Sequence, residues 1–234
     1  MSSAAPGRLL AAGRAADVYE IDDDWVLRRY RAPFSAEREA EIMTYARAHG
    51  YPVPFVKDAS GPDLVMERLI GRTMLDEIAR RPWTMIRHAR LLAELHRRLH
   101  AIPAPPGLNA PIGDGTALIH KDLHPLNVML TLRGPVVIDW TNAARGDEAA
   151  DVAETWIIMA VSEVPGGPLN RTLARIGRGA FVRTFLAPFD RDLVAARVPD
   201  VAALRVTDRN ITDRERIAVG RLVERVARRT RTAG

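Results

Sequence analysis

The apolar positions of the chain recur first with a period of two, and later with a period near 3.6. Residues 8–31 carry two strand-like runs, DVYEI (17–21) and WVLRRY (25–30), joined by the acidic turn Asp22-Asp23-Asp24. This pattern predicts a small antiparallel sheet. SAEREAEIMTYARAHG (35–50) then places Ile42, Tyr45 and Ala46 on one helical face, with Ser35 at the N-cap position and Gly50 at the end. Arg38 rather than Glu stands at the third helical position, so no capping box is expected. Pro52 and Pro54 make YPVPFV an extended segment. DLVMERLIG (63–71) reads as a strand that leaves into a short connector.

Beyond Gly71 the period lengthens. TMLDEIARR (73–81) predicts a short helix, and WTMIRHARLLAELHRRLHAI (83–102) a longer one with Ile86, Leu91, Leu92, Leu95 and Leu99 near helical spacing. A Pro/Gly loop follows at 102–115, then two short apolar strands flanking LIHKDLHPLNVML (118–130) and GPVVIDW (134–140). From Asp151 the chain reads as helical over 151–162, 169–187, a short turn near 190–197, and 212–230. In the last helix Val219, Leu222, Val223 and Val226 form a stripe that Arg221, Arg225 and Arg228 largely avoid, the mark of a packing helix with a solvated basic face. The order gives an α+β class and two lobes: residues 1–67, an antiparallel sheet plus one helix, and residues 68–234, mainly helical. Ligand sites favour the junction of two such bodies.

Composition narrows the chemistry. At 234 residues the chain can bury a real core, and 47% hydrophobic with 27% charged residues is a globular balance. Without cysteine there is neither disulfide nor thiolate-bound zinc. The most apolar window, WIIMAV (156–161), is too short to span a bilayer, and LLAA near the start is too weak for a secretory signal. A cytoplasmic protein without a membrane partner is expected. The net charge of +5 resides in residues 205–234, which hold nine Arg against four acidic residues. Lys57 and Lys121 are the sole lysines, a bias that a GC-rich coding sequence explains. The basic tail lacks interleaved aromatics, so nucleic acid is not the expected partner.

The densest polar cluster is LIHKDLHPLNVML. His120, Asp122 and His124 alternate, which on a strand would put all three on one face as metal ligands, but Pro125 interrupts the strand. His96 and His100 are an i, i+4 pair, yet Arg97 and Arg98 stand between them rather than an acid. They and His88 read as structural. A polar turn between two strands is the plainest alternative. More residues are accounted for by the kinase loop spacing H-x-D-x-x-x-x-N, met by His120, Asp122 and Asn127. In such a loop the Asp accepts the proton of the attacking hydroxyl and the Asn turns to a magnesium ion. Asp139, seventeen residues after Asp122 at the end of an apolar strand, supplies a second acid for the metal.

IHKDLHPLNVML…VVIDWTNAARGDEAADVA closely resembles the aminoglycoside-phosphotransferase-like family, which has the bilobal protein-kinase-like fold and includes choline and homoserine kinases. The resemblance is specific across Leu118–Ala153, looser from Gly13 to Leu99 and vague after about residue 162. It implies ATP or GTP as donor, Mg2+, and a hydroxyl of a small molecule as acceptor. By the same resemblance Asp122 matches the catalytic base and His120 the residue that braces the catalytic loop (118–130). Asn127 and Asp139 match the magnesium ligands, Asp139 at the strand end 135–140. Met66 would border the adenine, and the backbones of Glu67 and Leu69 would bond its edge. Glu39 matches the acid that pairs with the phosphate-binding cation. Asp147 and Asp151 match acids of the family's GDxxxD segment, expected to cap helix starts and brace the loop.

The chain departs from that pattern in two places. Arg28 stands where kinases place a Lys on the third strand; it keeps the charge on a longer, planar group. AAGRAADVY has one Gly in place of a Gly-rich loop. These departures leave a nucleotide-binding regulatory pseudokinase as the alternative to a live small-molecule kinase. Residues 152–234 hold fifteen Arg against nine acidic residues, which favours a neutral or anionic acceptor over a polycationic aminoglycoside.

Overall fold

The computed structural model describes residues 7–13, 15–31, 35–161, 168–207 and 211–233. The chain divides into two units, Met1–Thr73 with Asn127–Ala143, and Met74–Leu126 with Ala144–Gly234. It is α+β, with antiparallel strands early and helices through most of the remainder.

In the first unit, strands β1 (Leu9–Ala12), β2 (Ala16–Glu20), β3 (Trp25–Tyr30), β4 (Val56–Ser60) and β5 (Asp63–Glu67) form an antiparallel sheet in the order β1-β2-β3-β5-β4. The acidic turn before β3 is held by Asp22, whose Oδ1 accepts from the amides of Asp24 (2.9 Å) and Trp25 (2.8 Å). A short carboxylate thus does what a backbone carbonyl does in an ordinary turn. Helix α1 (Ala36–Ala48) buries Ala36, Glu39, Ala40, Ile42, Met43 and Ala46. Ser35 occupies its N-cap position without a side-chain cap; its hydroxyl donates instead to Glu37. Gly50 closes the helix at φ +76°, a conformation glycine adopts without strain.

The same unit contains a second sheet, β6-β8-β9, from β6 (Gly71–Thr73), β8 (Val128–Thr131) and β9 (Gly134–Val137). Gly71 permits the close approach of β6 to β8, since a Cβ there would lie 2.2 Å from the carbonyl oxygen of Leu130. Trp140, fully buried after β9, donates from Nε1 to Val137 O (3.0 Å) and meets Tyr51 edge to face.

The second unit holds helices α2 (Met74–Arg80), α3 (Met85–His100), α4 (Glu148–Val161), α5 (Pro168–Phe185), α6 (Arg191–Arg205) and α7 (Asp213–Ala233). A two-stranded ladder of β7 (Ala117–Ile119) with β10 (Ala144–Gly146) accompanies them. Its core includes Leu92, Leu95 and Leu99 of α3, Ile157 of α4, Phe185 of α5 and Val198 of α6. In α7, Val219, Leu222 and Val226 are buried and Arg221, Arg225 and Arg228 exposed, the division the sequence pattern predicts.

The short turn near 190–197 is a fifteen-residue helix, α6, with Pro199 inside it. Asp190 explains its persistence. This N-cap carboxylate accepts from the amides of Asp192 and Leu193. Val194, Val198, Val201 and Ala202 then bury one face across the proline.

Candidate active site

Strand β3 alternates, so Val26, Arg28 and Tyr30 share a face. Arg28 is 9% exposed, and its guanidinium spans two carboxylates. Nη1 donates to Glu39 Oε1 of α1 (2.9 Å); Nη2 donates to Asp139 Oδ1 (2.5 Å) and Thr141 Oγ1 (3.3 Å). The neighbouring Arg29 points to the other face and pairs with Asp63. Glu39 is nearly inaccessible. Its second oxygen accepts from the Tyr30 hydroxyl, and Oε1 also accepts from the amide of Trp140 (2.9 Å). Burial pushes the Glu39 carboxyl up, opposed by the Arg28 charge and the Tyr30 hydroxyl. Burial alone would lower the Arg28 value, but the charges of Glu39 and Asp139 outweigh it and hold the guanidinium firmly protonated.

The hairpin β8–β9 sets the spacing between Asn127 and Asp139. Val128 faces Val137 across it, and the amide of Ile138 donates to Asn127 O (3.0 Å), so both residues lie at one end of the hairpin. Asn127 is 8% exposed; Asp139 keeps 39% of its side chain accessible and sits at φ +64°, ψ +67°. Thr141 Oγ1 donates to Asp139 Oδ1 at 2.6 Å. A carboxylate and an amide oxygen are the hard donors that suit Mg2+, whose remaining positions commonly go to water and phosphate. Among the described residues no group of three or more His, Asp or Glu is placed to hold a metal.

The other half of LIHKDLHPLNVML belongs to the second unit. His120 is completely buried; Lys121 sits at φ +64°. The carboxylate of Asp151, in the first turn of α4, accepts the amides of Lys121 (2.7 Å) and His120 (3.4 Å) and contacts His100 Nε2 (2.9 Å). Burial would raise the Asp151 value; the His100 contact, the two histidine charges and the Lys121 amide drive it well below the usual carboxylate range. Asp147 caps α4 through the amides of Ala149 and Ala150 and pairs with Arg197. The GDxxxD acids therefore cap a helix start and brace the loop.

In the sequence His124 reads first as a metal ligand and, once Pro125 and Asn127 are taken into account, as a support of the loop. In the structure its Nδ1 accepts from the amide of Leu126 (3.3 Å). In the neutral ring the proton is then on Nε2, which lies 3.4 Å from Asp122 Oδ1. His96 bonds Leu92 O and Thr155 Oγ1, and Thr155 Oγ1 also lies 2.8 Å from Leu123 O, so α3 and α4 both reach the loop. Tyr30, Thr141 and His100, the partner of Asp151, are groups that no sequence motif marks.

Met66 and Leu69 are half-buried at and beyond the end of β5. The amide of Glu67 donates to Phe55 O (2.8 Å), its carboxylate accepts from the amide of Phe55, and it pairs with Arg133. That N–H is thus engaged within the sheet. In the second unit a cavity of about 610 Å³ is lined by His100, Thr116, Asp147, Glu148, Asp190 and neighbours, but not by Asp122.

A structure of aminoglycoside phosphotransferase APH(4)-Ia aligns with 94% of this chain and 92% of its own, at 17% identity and a TM-score of 0.65. A choline/ethanolamine kinase family protein from Mesorhizobium loti aligns with 95% of this chain and 87% of its own, at 15% identity and a TM-score of 0.56. These likenesses show a kinase-like fold. A probable serine/threonine-protein kinase BUD32 homolog from Archaeoglobus fulgidus is 28% identical over 114 residues, 49% of this chain. The chain spans 45% of that relative's length. The model of the phosphotransferase enzyme family matches residues 6–112 and 100–189. With most of its length covered by that model, the chain belongs to the phosphotransferase enzyme family.

Proposed function

We propose that the protein is a Mg2+-dependent kinase that moves the terminal phosphate of ATP or GTP to a hydroxyl of a small molecule. The observation that carries this reading is the buried Arg28–Glu39 pair, placed in one unit with Asn127 and Asp139 at the end of the β8–β9 hairpin. A cation held by a buried acid is the recurring phosphate-gripping device of kinases. Solved relatives of this fold bind such ligands: one is a ternary complex of APH(4)-Ia with AMP-PNP and hygromycin B, another an amicoumacin kinase with AMP-PNP and Ca2+.

In this reading Asp122 takes the hydroxyl proton as the oxygen forms its bond to the terminal phosphorus. The bond to the bridging oxygen breaks, and the diphosphate leaves with that electron pair. His124 aims the carboxylate, and Asp151 fixes the loop backbone around it. Asn127 and Asp139 would hold the Mg2+, which neutralises phosphate charge when bound. Met66, Glu67 and Leu69 border the base, with Glu67 contributing a group other than its engaged N–H. Glu154, an acid of the kind that attracts a polycation, is 7% exposed and paired with Arg205 at 2.6 Å, which supports a neutral or anionic acceptor.

The test is nucleotide consumption against a panel of sugars, amino alcohols, nucleosides and antibiotics, with Asp122→Asn as control. The variant is expected to bind nucleotide nearly as well and to lose about 10²–10⁴-fold in turnover. Transfer that survives the substitution would remove Asp122 from the role of base. One observation favours a second reading, a nucleotide-binding protein without turnover: Asp139 is engaged by Arg28. Measurable nucleotide affinity with no consumption against any acceptor would establish it.

A further inference from the structure

We propose that Arg28 is the resident competitor of the divalent cation at Asp139, so that the cation reaches the Oδ1 oxygen by displacing the guanidinium. This rests on the reading of Asp139 as a metal ligand. Asp139 Oδ1 already accepts from Arg28 Nη2 at 2.5 Å and Thr141 Oγ1 at 2.6 Å. A cation approaching that oxygen meets an occupied acceptor and a positive charge beside it. Arginine cannot yield by losing its proton, because a guanidinium stays charged in proteins and the two carboxylates hold that proton more firmly still.

The bridge depends on the shape of the guanidinium. Its two terminal nitrogens serve Glu39 and Asp139 separately, 2.9 and 2.5 Å away. A lysine ammonium is a single point on a flexible stem. Arg28→Lys therefore keeps a cation for the buried Glu39 and releases Asp139. The pair is also held on both sides: Arg28 stacks over the Tyr30 ring at 5.0 Å, and Thr141 fixes the carboxylate it reaches. Such a site takes up metal weakly when the protein is otherwise empty.

The test is titration of Mn2+ against the nucleotide-free protein, with free Mn2+ read by electron paramagnetic resonance. Wild type, Arg28→Lys, Arg28→Gln and the double variants of both with Asp139→Asn are compared, each checked for folding by circular dichroism. Arg28→Lys and Arg28→Gln are expected to bind Mn2+ up to about fivefold more tightly than wild type, the scale of a partly exposed ion pair. Adding Asp139→Asn should abolish the gain. Equal affinity of wild type and both single variants, including no binding by any, overturns the competition. A gain that survives Asp139→Asn shows that Asp139 is not the ligand, and removes the metal site of the proposed function as well.

Discussion

The hydroxyl of Tyr30 and the guanidinium of Arg28 divide one carboxylate between them, each taking a different oxygen of Glu39. The alternation of β3 places both residues on one face, but it does not say that α1 will deliver an acid between them. For that reason Tyr30 was illegible in the sequence while Arg28 and Glu39 could be named from their match to a family. Hydrogen bonds to a charged group contribute about 1.5–3 kcal/mol. Tyr30→Phe is expected to lower unfolding free energy by about that amount in urea titrations; a change under about 0.5 kcal/mol would mean the hydroxyl is replaceable. Lys121 was legible only as a residue without a role. Its left-handed backbone costs a non-glycine residue about 1–2 kcal/mol. Glycine would relieve that strain and return about 0.5–1 kcal/mol of it in chain entropy. Lys121→Gly should therefore raise the urea midpoint by a net gain of about 0.5–1 kcal/mol, with an unchanged or lower midpoint counting against strain there.

At the scale of elements, periodicity located the strands β2, β3 and β5 and the helices α1, α3 and α7, because each has one buried face that repeats. It did less well where a side chain sets the boundary. Helix α4 begins at Glu148 rather than Asp151, since the Asp147 carboxylate caps it three residues earlier than the apolar pattern starts. Helix α6 runs past Pro199 because Asp190 secures its first turn and four apolar residues secure its face. Asp190→Ala should cost about 1 kcal/mol. Since α6 packs on α4 and α7, the loss should appear in global unfolding rather than as local fraying. Amide exchange that quickens only within Arg191–Arg205 would contradict that coupling.

Across the whole molecule, buried titratable groups tie stability to pH. His96 is wholly buried, and burial carries its value down to about 4, opposed in part by the Asp151 charge and the Leu92 carbonyl. Between about pH 4 and 6.5 the unfolded chain binds a proton at this residue that the native ring does not, so stability falls as pH drops through that window. The contribution is at most about 3 kcal/mol. Glu39 and Glu154 act oppositely, because burial raises them and the native state holds protons there above the usual carboxylate range. Comparing melting of wild type and His96→Gln at pH 7.5 and 5 isolates the histidine: the variant should lose less on acidification. The same loss in both would remove His96 as the source. Asp122, Asn127 and Asp139 were legible from spacing alone, whereas the Arg28–Asp139 bridge and the His100–Asp151 brace join residues 111 and 51 positions apart, which no local pattern encodes.

The discontinuity of the first unit also has a consequence during synthesis. Its second sheet and the amide of Trp140, which bonds Glu39, come from Asn127–Ala143, so Met1–Thr73 cannot complete its own hydrogen bonding when it leaves the ribosome. The seventy residues from Met74 to Ala143 must first be made, which at cellular elongation rates takes about 4–14 s. Within that interval β6 lacks its partner strand until Thr131 is made, and Glu39 lacks the Trp140 amide until Trp140 follows. The nascent chain in this interval is the species for which a chaperone has most to hold.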